Sequence, residues 1–346
     1  MKKIEEIYWL RAYGCMAVFL FHLLDHVNQR VDNVATDLAR LPLVLGTPTF
    51  LFISIFVFAV RYGHTVPQGF LSQRVKFVMV PYFTYGVAYA GAEWARLRVG
   101  GETVGLVPYA VEYLLYAGWH GYFLIIAMQF YVAYWLYTRW RLWRFNPVPG
   151  LWIACLVSMG YWGTAYWLGV DPPGYLLWIM PFGWVYLFFL ALVLVRHYAT
   201  TVQQAVDAQM KPAWITSLAH PAWLVGATVL LVLATFAGWL EFSSKEVWVI
   251  PFFLLFTLWA MQQLRGRKAP WLVRQINVYS FGIYLAHPMF FQLVDKVVGP
   301  ERLPLAAYVL LLAVVGLAGS ILLNRCANLF SWGGLLLGKR LKVAAA

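Results

Sequence analysis

The sequence predicts an all-α, polytopic membrane protein with about ten transmembrane helices, because of its composition and the spacing of its apolar segments. Hydrophobic residues make up 62% of the 346 residues and charged residues only 12%, which is far from the usage of soluble domains. Apolar segments long enough to span a bilayer, about 17 to 25 residues each, recur along the chain with short breaks. We therefore expect a single membrane domain, residues 1–346.

The first apolar segment, 7–28, follows Lys2 and Lys3 and superficially resembles a signal peptide. Ionisable side chains interrupt its apolar run and it has no small-residue cleavage site, so we interpret it as a retained first helix. Nine further segments have the length of a membrane span: 43–62, 77–95, 119–138, 150–169, 176–196, 222–240, 247–264, 276–293 and 304–324. We find no internal repeat among them.

The charged residues predict the orientation. With ten crossings and a cytoplasmic N-terminus, most of the 26 Lys and Arg residues fall on the cytoplasmic side, and most of the 14 acidic residues fall on the outer side. Short cytoplasmic loops of membrane proteins carry such an excess of basic residues. We therefore expect both termini in the cytoplasm, in a multi-pass protein of the inner (cytoplasmic) membrane. A cytoplasmic surface facing anionic lipid explains much of the net charge of +12, so we expect no nucleic-acid partner.

The three cysteines, Cys15, Cys155 and Cys326, are isolated in the sequence. None has the spacing of a metal ligand set, and we interpret them as small apolar side chains on buried helices. We therefore expect no metal site.

Arg11 and His22 lie eleven residues apart within the first apolar segment. At about 100° per residue, eleven steps return to within roughly 20° of the starting direction, so both side chains share one face of a helix. At about 1.5 Å per residue they lie roughly 16 Å apart along the axis. Ionisable residues inside membrane helices are costly and usually face a bundle interior, so this pair is a functional candidate.

Further polar side chains fall at two depths of the predicted helices. Hydroxyl and imidazole groups from three other segments share the outer level with His22: Thr47, His120, Tyr122 and His287. Basic groups lie at the inner level: Arg11, Arg74 and Lys76. Arg and Lys bind phosphate, and imidazole suits acid–base work on a hydroxyl because it titrates near neutral pH. The pattern favours group transfer from a phosphate-bearing cytoplasmic donor to an acceptor outside.

Several of these side chains also have a structural interpretation. His22 could form a hydrogen bond between helices, His120 could belong to the aromatic belt at the interface, and Arg11 could extend its guanidinium to the inner interface. Arg74 and Lys76 could be ordinary cytoplasmic charges. The joint pattern, rather than any one residue, supports the functional hypothesis.

Asp25 and His26 stand near the outer end of the first segment. We expect both to be solvated at the membrane boundary. Asp25 follows His22 by three residues, however, and from that position it could also orient the imidazole.

At this point the residues show a family resemblance that covers almost the whole chain. The stretch from Arg11 to His22 resembles the opening Arg-x10-His signature of the membrane acyltransferase-3 family. Four further blocks match in the family's order: Gly46–Ser54, Gln73–Lys76 with Pro81 and Tyr82, Trp119–Tyr131, and Tyr279–Pro288, which contains Ser280-x-x-x-Tyr284-x-x-His287-Pro288. The sequence is closest in character to the exopolysaccharide O-acyltransferases of the intercellular adhesion protein C type.

The resemblance implies a ten-helix membrane enzyme. Such an enzyme takes an acyl group from cytoplasmic acyl-coenzyme A, either acetyl-CoA or succinyl-CoA, and places it on a carbohydrate hydroxyl outside, for example on an exopolysaccharide. Its partners would be membrane lipids, the carbohydrate acceptor and a polysaccharide synthase or export complex. Many relatives carry a second Arg where this chain has Lys76, which removes a bidentate fork for phosphate.

The resemblance also suggests roles for the candidate residues. His22 would act as general base on the acceptor hydroxyl or carry the acyl group transiently, and Arg11 would hold the thioester or pantetheine part of the donor. Arg74 and Lys76 would bind the nucleotide phosphates. The remaining candidates would orient the acceptor or support the imidazole: Thr47, His120, Tyr122, Tyr284 and His287.

Two other functions remain open from the sequence. An exporter or flippase for a polysaccharide or a lipid-linked saccharide would equally need about ten helices and a polar interior. Transporters of this kind often show inverted repeats or broken helices in corresponding positions, and we detect neither in the sequence. A purely structural subunit of a synthase complex makes no demand for histidines at matched depths.

Overall fold

The computed structural model describes residues 4–31, 33–103, 105–203, 213–240 and 245–338, except for the side chains of 198–203 and 245. Across these ranges the regular structure is helical and contains no strand. The helices are α1 Glu5–Asn28, α2 Val34–Arg40, α3 Gly46–Tyr62, α4 Phe70–Arg74, α5 Val80–Val99, α6 Leu106–Leu114, α7 Tyr122–Arg139, α8 Pro147–Trp167, α9 Leu176–Ile179, α10 Val185–Gln203, α11 Ala213–Leu218, α12 Pro221–Phe236, α13 Lys245–Gln263, α14 Trp271–Val297, α15 Leu305–Asn328 and α16 Gly333–Leu336.

Each of the ten predicted segments contains a helix of this set, and one boundary differs clearly. The predicted segment 176–196 is interrupted, because α9 ends at Ile179 and α10 begins only at Val185. Met180 is extended, with φ −70° and ψ 129°. The residue before a proline is disfavoured in the helical region, and Pro181 therefore ends the short helix.

The segment around Arg74 and Lys76 leads directly into a long helix. The chain is helical throughout, with a π-helical turn at Val75–Met79 between α4 and α5. Proline has no N–H, so Pro81 cannot bond the carbonyl group of Phe77 four residues earlier. A π-helical turn directly before Pro81 is one of the recognised ways in which a helix accommodates such a break.

The apolar helices bear out a membrane protein. Four helical stretches have the length and hydropathy of a membrane span: Glu5–Asn28, Val34–Tyr62, Glu246–Gln263 and Leu305–Asn328. Val185–His197 and Pro221–Phe236 are shorter apolar helices. Helix α12 buries none of its residues although it is almost entirely apolar, with Leu230 and Phe236 more than 60% exposed. Such a surface suits contact with lipid. Ten crossings and cytoplasmic termini remain predictions.

The chain divides into two compact units. The first comprises Met1–Val66, Leu136–Val170 and Phe182–Asn277. In it α1 packs on α3, α3 on α10, and α10 on α8, while α13 contacts α8 and α1. The side chains of Leu51, Phe52, Ile55 and Phe56 on α3 are fully buried, so α3 forms the centre of this unit.

The second unit comprises Pro67–Trp135, Asp171–Pro181 and Val278–Ala346. Helix α5 packs against α6 and α16. Gly282 on α14 is required by a close approach, because a Cβ there would lie 1.8 Å from Oδ1 of Asn324 on α15. A small residue at such a position allows two helices to approach closely, as is common in membrane bundles.

Candidate active site

In the first unit, Arg11 and His22 lie on one continuous helix, and their stripe of α1 faces α3. Gly14 and Val18 fall on the same stripe between them, at helical spacing. A Cβ on Gly14 would lie 3.2 Å from Cγ2 of Thr49, and a Cβ on Gly46 would lie 2.7 Å from Cγ2 of Val18. Because this stripe packs on α3, both ionisable side chains are half-buried within the unit.

His22 lies near the C-terminal end of α1 beside an acidic neighbour. Its Nδ1 lies 3.3 Å from Oδ2 of Asp25, one turn further along α1. A carboxylate oxygen accepts hydrogen bonds, so this contact favours the tautomer with the ring hydrogen on Nδ1. The other carboxylate oxygen of Asp25, Oδ1, lies 2.6 Å from the guanidinium of Arg40 at the end of α2.

Thr47, the other candidate in the first unit, is the second residue of α3 and is half-buried. It follows Gly46, whose close approach to Val18 fixes the beginning of α3 against α1. Thr47 therefore lies next to a close contact between α1 and α3, on the helix against which the stripe of Arg11 and His22 packs.

In the second unit, His120 and Tyr284 bind each other's backbone. Tyr284 stands four residues before Pro288 in α14, so its carbonyl group lacks the amide that residue 288 would supply in an uninterrupted α-helix. Nε2 of His120 lies 3.0 Å from that carbonyl oxygen. In return, the hydroxyl of Tyr284 donates to the carbonyl oxygen of His120. We call this pair of reciprocal bonds the His120–Tyr284 latch.

The next carbonyl of α14 is also bonded from outside the helix, because the hydroxyl of Tyr89 on α5 donates to the carbonyl oxygen of Leu285 over 2.9 Å. The side chains of His120 and Tyr89 therefore bind the turn of α14 whose hydrogen bonding Pro288 interrupts. Such outside partners are what allow a proline inside a membrane helix.

His287 lies beside the latch and is fully buried. Its Nδ1 lies 2.7 Å from the carbonyl oxygen of Ile283, one turn earlier in α14. Because a carbonyl oxygen only accepts, Nδ1 carries the ring hydrogen and Nε2 is the basic nitrogen. The ring centroid of His287 lies 5.6 Å from that of His120, so two imidazoles are adjacent in this unit.

Tyr122 has an aromatic partner of its own. Its ring stacks on Tyr175 with centroids 4.7 Å apart and planes 13° apart. The segment that carries Tyr175 is tied to the same helix by Gln129, whose side-chain nitrogen donates to the carbonyl oxygen of Ile179 over 3.0 Å. Tyr122 thus forms part of a half-buried aromatic pair.

Arg74 and Lys76 lie on different sides of their helix. Residues two apart in a helix do not face each other, and the surroundings of the two side chains agree. Arg74 is half-buried with its guanidinium carbon 5.6 Å from the ring centroid of Phe70, whereas Lys76 is exposed and lies near Phe77. The two basic groups are therefore presented separately.

The structure thus places the predicted residues in two sets. Arg11, His22 and Thr47 belong to the first unit, and the others belong to the second: Arg74, Lys76, His120, Tyr122, Tyr284 and His287. Sequence reasoning assigned no role to Arg40, Tyr89 or Pro288. The His-Pro dipeptide was a usable signal for the last, because a proline inside a helical pattern leaves a carbonyl without its partner.

Comparison with known proteins decides the family. A family model described as an acyltransferase domain matches residues 4–325, which include all of these residues. The chain belongs to the acyltransferase-3 family. It is similar to YfiQ of Bacillus subtilis, a protein named as a membrane-bound acyltransferase, with 28% identity over 97% of this chain and 95% of YfiQ.

The comparison also finds relatives that are named for polysaccharide export and not for acyl transfer. A protein of Staphylococcus aureus strain MRSA252, named as a poly-β-1,6-N-acetyl-D-glucosamine export protein, is 22% identical over 84% of this chain and 83% of its own length. Its namesake in Staphylococcus epidermidis is 23% identical over 84% of this chain and 82% of its own. No solved structure matches the chain. The acyltransferase-3 member described here is thus related to proteins connected by name with acyl transfer and with polysaccharide.

Proposed function

We propose that this acyltransferase-3 protein transfers an acyl group from cytoplasmic acyl-CoA to a hydroxyl group of an extracytoplasmic carbohydrate, as an enzyme of the inner membrane. The observation that carries the proposal is the arrangement of α1. One continuous helix presents Arg11 and His22 on the stripe that packs on α3, and Asp25 holds Nδ1 of His22. The imidazole is thereby prepared to accept a proton at Nε2.

The reaction needs two proton transfers and one displacement. The acceptor hydroxyl loses its proton to Nε2 of His22 as its oxygen attacks the carbonyl carbon of the thioester. The carbon–sulfur bond then breaks, and the thiolate of coenzyme A takes up the proton from the His22 imidazolium, which restores the base. A positioned general base contributes about 10² to 10⁴ to such a rate.

The donor carries several phosphate groups, and the basic residues are assigned to it. Arg11, in the second turn of α1, would face the cytoplasmic side and hold the thioester or pantetheine part. Arg74 would bind a nucleotide phosphate with its planar guanidinium. Lys76 is exposed on another side of the helix and would act as a separate point charge on a phosphate.

The latch and the side chains around it would serve the acceptor. Because the His120–Tyr284 latch engages both side chains with backbone atoms, its role is to fix the geometry of α14 beside His287. The imidazole of His287 and the pair of Tyr122 and Tyr175 would then contact or orient the carbohydrate. The acyl group would be acetyl or succinyl, and a polysaccharide synthase or export complex would supply the glycan.

The test is acyl transfer by purified protein in nanodiscs, with labelled acetyl-CoA or succinyl-CoA and a β-1,6-linked glucosamine oligosaccharide. We expect release of free coenzyme A that depends on the acceptor, and a loss of about 10²- to 10⁴-fold in His22→Ala. His26→Ala is the matched control, since His26 is half-buried on the same helix one turn later. Full activity in His22→Ala would contradict the role of His22.

Donor binding is tested separately by titration calorimetry with coenzyme A. Arg74→Ala should weaken binding more than Lys76→Ala, because a guanidinium forms paired bonds to phosphate and an ammonium does not. Arg61→Ala, at the end of α3, serves as the control for loss of a basic charge. Unchanged affinity in the Arg74 variant would remove that assignment.

Export is the second candidate, favoured by the names of the staphylococcal relatives. An exporter would move a labelled oligosaccharide across proteoliposomes without acyl-CoA and would release no coenzyme A. The same preparation therefore separates the two functions.

A further inference from the structure

Three side chains at the outer end of the first unit form a connected line. Arg40 contacts Oδ1 of Asp25 at 2.6 Å, and Oδ2 of Asp25 lies 3.3 Å from Nδ1 of His22. The side chain of Arg40 is 11% exposed and that of His22 is 25% exposed, whereas Asp25, between them, is 41% exposed. The side chains of Arg40 and His22 are thus more buried than the Asp25 carboxylate between them.

Arg40 is placed by a short helix with a strong beginning. Asn33 caps α2 by accepting from the amides of Ala35 and Thr36, and the Thr36 side chain accepts in return from the amide of Asn33. This reciprocal capping box fixes the first turn of α2. Since α2 spans only Val34–Arg40 and packs on α1, its last residue has a defined position over Asp25.

Further contacts hold the guanidinium of Arg40. The guanidinium carbon lies 5.7 Å from the ring centroid of Phe21, and Nη1 lies 3.7 Å from Oδ1 of Asp37. With the carboxamide of Asn28 turned so that its oxygen faces Arg40, that oxygen lies 2.8 and 2.9 Å from the two guanidinium nitrogens. The guanidinium therefore has a fixed direction toward Oδ1 of Asp25.

We propose that Asp25, oriented by Arg40, is the positioning residue that keeps the ring hydrogen of His22 on Nδ1 and Nε2 available as the base. This inference rests on the proposed function of His22 and extends it to two residues that do not touch the substrate. Asp25 accepts the Nδ1 hydrogen and stabilises the imidazolium that forms after proton uptake. Arg40 keeps Asp25 in the one orientation that does both.

The geometry predicts an unusual effect of Asp25→Asn. An arginine only donates hydrogen bonds, so Arg40 requires the oxygen of the new carboxamide to take the place of Oδ1. The NH2 group of that carboxamide then faces His22 and donates to Nδ1, which moves the ring hydrogen to Nε2. The variant is nearly isosteric, yet it leaves His22 in the tautomer that cannot accept the hydroxyl proton.

The test measures the tautomer and the activity in the same proteins. Protein with ¹⁵N-labelled histidine distinguishes Nδ1–H from Nε2–H by the ring nitrogen shifts, and His22→Gln assigns the signal. We expect Nδ1–H in the wild type and Nε2–H in Asp25→Asn, with kcat about 10²- to 10⁴-fold lower and the KM for acyl-CoA near its wild-type value. Asp25→Glu should recover part of the kcat.

Two further variants separate positioning from a merely structural role. Asp37→Asn removes the other carboxylate near Arg40 without touching His22, so its tautomer and its kcat should stay those of the wild type. Arg40→Met in the Asp25→Asn background allows the carboxamide at position 25 to rotate by about 180°. Its oxygen can then face His22, and the Nδ1–H tautomer should partly return.

The histidine spectra and the activity assay can fail independently, so the role of Asp25 is tested separately from the proposed acyl transfer. If Asp25→Asn retains the Nδ1–H tautomer and wild-type kcat, the positioning role is wrong whatever the protein does. If the tautomer changes as expected but the wild type releases no coenzyme A, the positioning holds and acyl transfer is wrong.

Discussion

Nε2 of His120 lies 3.0 Å from the carbonyl oxygen of Tyr284, the carbonyl of α14 whose helical amide partner is absent because residue 288 is proline. A side chain from outside α14 thus completes the hydrogen bonding of that helix. The bond accounts for the burial of a histidine in an apolar unit, because a buried polar group is tolerated where it has a partner.

A double-mutant cycle of His120→Ala and Pro288→Ala should reveal this substitution of partners. His120→Ala alone leaves the carbonyl group of Tyr284 without a donor, at a cost of about 1 to 3 kcal/mol. In the Pro288→Ala background the amide of residue 288 supplies the bond, so His120→Ala should cost less. The free energies of unfolding, measured by SDS titration in mixed micelles, should give a coupling of about 1 kcal/mol or more. Strict additivity would show that the two residues do not share that carbonyl.

The other half of the latch predicts a difference between two tyrosines. Tyr284→Phe removes a buried hydroxyl that donates to the carbonyl oxygen of His120, so unfolding should become easier by about 1 to 3 kcal/mol. Tyr166→Phe removes a hydroxyl from a side chain of α8 that is 52% exposed, and it should change stability by less than about 0.5 kcal/mol. Thermal unfolding of both variants in one detergent compares them, and equal melting temperatures would argue against the latch.

The close approach of α1 and α3 predicts a rescue experiment. In Gly46→Ala the new methyl group would lie 2.7 Å from Cγ2 of Val18, so one helix must shift, and overpacking of this kind costs about 1 to 3 kcal/mol. Adding Val18→Ala makes room and should restore much of the loss. Gly226→Ala on α12 is the control, because a Cβ there meets no atom within 4 Å. Failure of the double variant to regain stability would contradict the assigned contact.

The predicted orientation can be tested with single cysteines in a variant that lacks Cys15, Cys155 and Cys326. A cysteine at Gln29, exposed just after α1, should react with a membrane-impermeant maleimide in spheroplasts. A cysteine at Arg265, exposed just after α13, should react only after lysis. The reverse labelling pattern would place the N-terminus outside and overturn the assigned donor side.

The long helices were predictable because an apolar run of about twenty residues has few alternatives to a helix. Each of the ten segments contains a helix, and α1 is one unbroken helix from Arg11 to His22, as their predicted shared face requires. The interruption before α10 was harder to place from hydropathy, since Leu176–Ile179 is as apolar as the helix that follows. Its signal is the backbone restriction at Met180 imposed by Pro181.

The candidate site was predictable only in part. Spacing on one helix gives the shared face of Arg11 and His22, but it says nothing of Arg40, which belongs to another helix. The sequence signal for α2 is the N-terminal capping box of Asn33 and Thr36, which a search for long apolar runs does not detect. The latch likewise joins positions 120 and 284, and hydropathy carries no information about such a pairing.

The π-helical turn Val75–Met79 has a consequence for how this segment could change during evolution. A π-turn holds one residue more than the α-helical turn it replaces, so loss of a single residue there would leave an ordinary helix in place. Because the turn confines its extra residue locally, the helix on either side would keep its direction, and Arg74 would keep its place relative to Tyr82 and Tyr89. A one-codon deletion would therefore alter the side chains of the turn itself, Lys76 among them, without disturbing the anchoring of α5.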